Sequence, residues 1–200
     1  STAPPAITFS AAPPSWTIAA ADVLIRQPGD DRDRVDEGLR LLEAIRGAAR
    51  KDERLWFEWN LLTGVGLSQL GDLPGSRAAL EVALELSPDD GEARLEHALT
   101  LFELGDFEAA KAALTALRDE FPSDPWPVHT RGLLAERAGE AKAAQALFAA
   151  ARKLDPEGFP APVELPQAQF DAAVKAAIEK LPGHAREQLG NVTIAVEPFP

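Results

Sequence analysis

The chain has 200 residues, no cysteine and a formal net charge of −12, which excludes disulfides and thiolate metal sites and sets its surface against a nucleic-acid backbone. Alanine and leucine dominate, tyrosine is absent and β-branched residues are sparse, a balance that favours helix over sheet. No apolar run approaches the roughly 20 residues that span a bilayer and no charged-then-apolar leader stands at the front of these residues, so a cytoplasmic location is expected unless a leader has been removed ahead of Ser1.

Residues 1–30 form an alanine- and proline-rich arm, and its first twenty residues read as an extended segment. Residues 31–56 follow, with seven acids balanced by seven bases. Within them Val35, Leu39, Leu42 and Ile45 recur at helical spacing, as expected of a helix that caps the open end of a stack. A degenerate further repeat there is the alternative, although it lacks glycine and proline marks.

Between Phe57 and Glu157 the chain repeats itself. GDLPGS at Gly71, GDFEAA at Gly105 and GEAKAA at Gly139 lie 34 residues apart, as do Pro88, Pro122 and Pro156. Small residues stand five after each glycine (Ser76, Ala110, Ala144) and seven before it (Gly64, Ala98, Gly132). Bulky ones stand nine after (Leu80, Leu114, Phe148), and Ala83, Leu117 and Ala151 twelve after. Each mark has a physical reason. Glycine accepts the left-handed conformation that ends a helix, and the acid after it suits the positive end of the next helix dipole. Small residues let two helices cross closely, and proline stops the second helix. Each unit is then a helical hairpin with one apolar face, which stacking buries.

This period and residue pattern resemble tetratricopeptide repeats. The resemblance implies an all-α solenoid of hairpins, with repeats at 57–90, 91–124 and 125–158 and capping helices beside them. One departure is the fourth position of each repeat, where the family often has tryptophan and this chain has Asn60, Arg94 and Val128. Trp56, Trp59 and Trp126 lie nearby, out of register, where they can fill the same gap from another direction.

The resemblance also implies a function, the binding of a peptide or protein along a concave groove. Its geometry selects Glu58, Leu61, Leu62, Val65, Ser68 and Gln69 in the first repeat, and Glu92, Leu95, Glu96, Leu99, Phe102 and Glu103 in the second. In the third it selects Trp126, His129, Thr130, Leu133, Glu136 and Arg137. This surface is apolar and acidic and lacks the Lys/Asn/Arg set with which some family members clamp a terminal carboxylate. It suits an apolar or basic segment, either of an external partner or of the chain's own N-terminal arm. Residues 57–158 carry eighteen acids against nine bases, which fits a basic partner or simply a solvated surface.

No catalytic constellation, metal site or cofactor motif is expected. His97, His129 and His184 form no HExxH pair, and no GxSxG, P-loop or dinucleotide glycine pattern occurs. Residues 159–166 are a proline-broken linker, and 167–200 hold an amphipathic helix, with Phe170, Val174, Ala177 or Ile178, and Leu181 on one side, then a strand. Together with Pro182, Leu189, Asn191, Val192, Ile194, Val196 and Glu197, these residues resemble the opening of a bacterial zincin-type metallopeptidase domain, cut before any zinc ligand. That resemblance implies, as an alternative function, the non-catalytic front part of a longer peptidase. A strand at 191–197 also offers an edge for self-association.

Overall fold

The computed structural model describes residues 12–27, 31–161 and 166–189, all of whose regular elements are helices. It divides into two units, 1–154 and 155–200. The first unit holds α1 (Pro14–Arg26), α2 (Arg32–Ala49), α3 (Glu53–Leu70), α4 (Leu73–Leu86), α5 (Gly91–Glu103), α6 (Phe107–Glu120), α7 (Pro125–Arg137) and α8 (Ala141–Leu154). Consecutive helices pack as hairpins, α1 on α2 through to α7 on α8, and each hairpin packs on the next.

The marks of the 34-residue period act as the local chemistry requires. Gly71, Gly105 and Gly139 end α3, α5 and α7 with φ of 86°, 83° and 75°. Each closes its helix with the same pair of hydrogen bonds. At the first, Gly71 N–H donates to the Ser68 carbonyl and Asp72 N–H to the Leu67 carbonyl, both at 2.9 Å. The aspartate after the glycine then caps the following helix through its carboxylate, Asp72 accepting from Gly75 N–H at 3.0 Å and Asp106 from Ala109 N–H at 3.4 Å. Asp52, Asp90 and Asp124 cap α3, α5 and α7 in the same way. Five of the chain's 32 acids are thus committed to helix starts.

The small-to-bulky pairing sets the crossing inside each hairpin. A methyl group added to Gly64 would lie 2.5 Å from Cγ of Leu80, and one added to Gly132 would lie 2.5 Å from Cε1 of Phe148. In the second repeat Ala98 and Leu114 hold the equivalent positions, both fully buried. A hydroxyl pair links two repeats, Ser76 on α4 lying 3.1 Å from Thr100 on α5 in a buried contact.

The N-terminal segment differs from the extended arm expected for it. Pro14–Arg26 is helix α1, with Thr17, Ile18, Ala21 and Ile25 buried. Pro14 at the first turn suits a helix start, where an absent N–H costs nothing. Consequently α2 is not a lone cap. It forms a hairpin with α1, and Gly38 provides the close approach, with Ile25 Cγ1 only 2.7 Å from where a methyl group would sit. This hairpin packs on α3 as later hairpins pack on their successors. The missing tryptophans are replaced here: Trp59 is buried between α2 and α3, donates its indole N–H to the Leu42 carbonyl at 2.6 Å, and stacks on Trp56 at 4.8 Å. Trp126 does no such filling and is 51% exposed.

The second unit contains α9 (Gln167–Glu179) and α10 (Gly183–Leu189). The expected amphipathic helix is present as α9, and none of its residues is buried. The strand expected at 191–197 lies outside the described residues.

Candidate ligand-binding groove

The groove positions divide by repeat. In the first, Leu61, Leu62 and Val65 are buried and belong to the same core cluster as Ile18 and Ile25 of α1. They are core residues and present no open surface. Glu58 is half-buried and accepts from Arg54 Nε at 3.0 Å. Gln69, at the end of α3, donates its side-chain amide to the Ile25 carbonyl at 3.1 Å and ties down the end of α1.

The second repeat keeps an accessible surface. Leu95, Leu99 and Phe102 on α5 are half-buried, and Glu92 and Glu103 are exposed. Leu95 and Phe102 pack beside the cluster formed by Ala98, Leu101, Ala110, Leu114, Leu117 and Leu134. Arg26, the last residue of α1, forms an ion pair with Glu92. This contact was not legible in the sequence, because it joins residues 66 apart through a helix that composition had disguised.

Glu96 lies between these acids, half-buried. Burial pushes its carboxyl pKa up, as do Glu92 and Glu103, and Arg26 opposes the rise. A carboxyl whose pKa is raised by folding holds its proton to higher pH in the native state than in the unfolded chain. Stability therefore falls as pH rises from the ordinary glutamate range through the raised value. Glu96→Gln is expected to raise the thermal midpoint at neutral pH, with the gain shrinking as the solution is acidified. Melting curves over that pH range check it, and an unchanged or lower midpoint at neutral pH would contradict it.

In the third repeat Trp126 and Glu136 are exposed, His129 and Leu133 are half-buried and Thr130 is buried. His129 lies edge-on to Trp126 at 6.5 Å and 5.2 Å from the Phe148 ring, and burial lowers its pKa. Arg137 has another task, its guanidinium standing 4.5 Å over the Phe107 ring. His97 on α5 is half-buried opposite Glu81 of α4 at 4.0 Å. Among the described residues no three His, Cys, Asp or Glu side chains converge as a metal-binding group, and no helix is long and apolar enough to cross a membrane.

These features define an all-α solenoid of helical hairpins with an apolar and acidic face on α5 and α7. Residues 67–126 match the family model described as tetratricopeptide repeat, so that stretch carries tetratricopeptide-repeat sequence, and the hairpins beside it share its fold. Solved structures agree on the fold. MamA from residue 41 to its end, from Desulfovibrio magneticus RS-1, superposes with a TM-score of 0.56 at 20% identity over 72% of this chain and 76% of that one. YrrB, described as a TPR protein with an unusual peptide-binding site, gives 0.56 at 19% identity over 75% and 72%. MamA of AMB-1 gives 0.55 at 18% identity over 88% and 83%. No curated protein matches the chain significantly. No comparison supports the metallopeptidase resemblance of residues 170–197.

Proposed function

We propose that this protein is a non-catalytic interaction scaffold that holds an apolar, basic peptide segment along α5 and α7. The observation that carries this reading is the ion pair of Arg26 with Glu92, in which the acidic face already holds a basic side chain at the end of an apolar helix. Leu95, Leu99 and Phe102 supply the apolar floor, Trp126 a large exposed anchor, and Glu92, Glu103 and Glu136 the countercharge. The neighbouring YrrB structure, described as having a peptide-binding site, is consistent with this use of the fold. The first-repeat stretch of the groove is occupied by the chain itself through α1, so an external segment enters beyond it, and α1 competes with that segment for Glu92.

The test is calorimetric titration with a peptide alternating leucine and arginine. Reversing the two exposed acids, Glu92→Lys with Glu103→Lys, should weaken binding at least about tenfold, the scale of losing two charge-assisted contacts. Arg26→Glu should strengthen it by releasing Glu92. Equal affinity in all three chains would remove the groove as the binding site.

A further inference from the structure

A second recessed site lies away from the groove, between the second and third repeats. It is a cleft of about 440 Å³ where α6, α7 and α8 meet. Its apolar floor comes from Leu134, Ala135 and Leu147, and its rim carries Lys111, Arg131 and Arg137. None of Leu95, Leu99, Trp126 or Leu133 lines it, although Arg137, a groove position by the family pattern, turns to this side over Phe107. Three cations against two carboxylates, Glu108 and Glu140, give it a positive excess inside a block of the chain that is strongly acidic.

Arg131 is the unusual member. Its Nη1 is buried and has no hydrogen-bond partner. The acid nearest it in effect, Asp119, is already held by Arg118. A guanidinium stays charged in a folded protein, and a buried N–H without an acceptor is costly, so Arg131 gains by turning its guanidinium to an acceptor bound in the cleft. A planar carboxylate matches its fork. The two rim glutamates disfavour a phosphate, with its higher charge, and can accept N–H groups from a peptide backbone, which a free fatty acid cannot offer. The volume suits a few side chains.

We propose that this cleft binds a peptide segment in which one aspartate or glutamate stands beside a leucine-like residue, the carboxylate going to Arg131 and the apolar side chain to the floor. The site takes a ligand of opposite charge to the one the groove suits.

The probe is acetyl-Leu-Asp-Leu-amide titrated into the isotope-labelled full chain and followed by amide chemical shifts. Shifts should centre on Ala135, Ala138 and Ala143. The asparagine analogue should bind at least about tenfold more weakly, and Arg131→Gln should lose a similar factor. If that variant melts early, Lys111→Gln, an exposed change, should still weaken binding severalfold. Equal binding of the asparagine peptide overturns the role of the carboxylate, and equal binding of hexanoate overturns the assignment to a peptide. Glu92→Lys with Glu103→Lys should leave this titration unchanged; tighter binding there would put the acidic peptide in the groove and overturn the cleft.

Discussion

Trp59→Ala is expected to destabilise the protein by about 3–5 kcal/mol, the range for deleting a large buried aromatic side chain. Trp59 is 7% exposed and sits where the first hairpin meets α3, in the cluster that contains Leu42, Leu61 and Leu62. Its loss removes three things together: the apolar volume between α2 and α3, the stack on Trp56, and the indole hydrogen bond to the Leu42 carbonyl. Arg46, which lies 5.5 Å over the Trp59 ring, loses that packing as well. Trp59→Phe separates these contributions. It keeps most of the volume and drops the N–H, so its cost should be smaller, about 1–2 kcal/mol. Urea denaturation followed by helical circular dichroism checks both. In a stack where each hairpin touches only its neighbours, damage at one interface is felt first beyond it. Amides of α1 and α2 should therefore exchange faster in Trp59→Ala, ahead of those in α5 and α6. Equal costs for the two variants would show that the hydrogen bond, and not packing, dominates the site.

Leu114→Ala should cost about 2–5 kcal/mol. Leu114 is fully buried on α6 and belongs to a cluster that draws Ala98 and Leu101 from α5, Ala110 and Leu117 from α6, and Leu134 from α7. It therefore holds the second hairpin closed and also supports the seam with the third. Alanine leaves a cavity that cannot collapse easily, because the helix crossing is already close at Ala98. Hydrogen exchange should show the largest loss of protection in α5–α8, with α1–α3 changed little. A uniform loss along the chain would mean that the solenoid unfolds as a single cooperative block. Because α6 and α7 also wall the charged cleft, its peptide affinity should fall in this variant.

The fold was largely legible, and particular residues explain why. Gly71, Gly105 and Gly139 mark helix ends by a conformation that other residues resist, so a 34-residue spacing of glycine reports structure directly. Gly64, Ala98 and Gly132 pair with Leu80, Leu114 and Phe148 for a steric reason that also lies within one hairpin. The N-terminal helix escaped because its alanine and proline content resembles a linker. Its signal was present: Ile18, Ala21 and Ile25 keep helical spacing and Pro14 occupies a first turn. The candidate groove was legible in part. Family positions select a side of the first helix, but they cannot say which stretch is already covered, and so Leu61, Leu62 and Val65 are core.

The amino-acid sequence by itself determined the repeat, the hairpin and the aspartate that starts each helix from α3 to α7, because these depend on backbone sterics and contacts between residues near in the chain. Only the tertiary structure decided what the surfaces present. It brought Arg26 to Glu92, laid Trp59 under Leu42, and left the Arg131 Nη1 without an acceptor beside Leu134 and Leu147. Those relations join different helices. No local preference encodes them, since they arise from how each hairpin settles on the next.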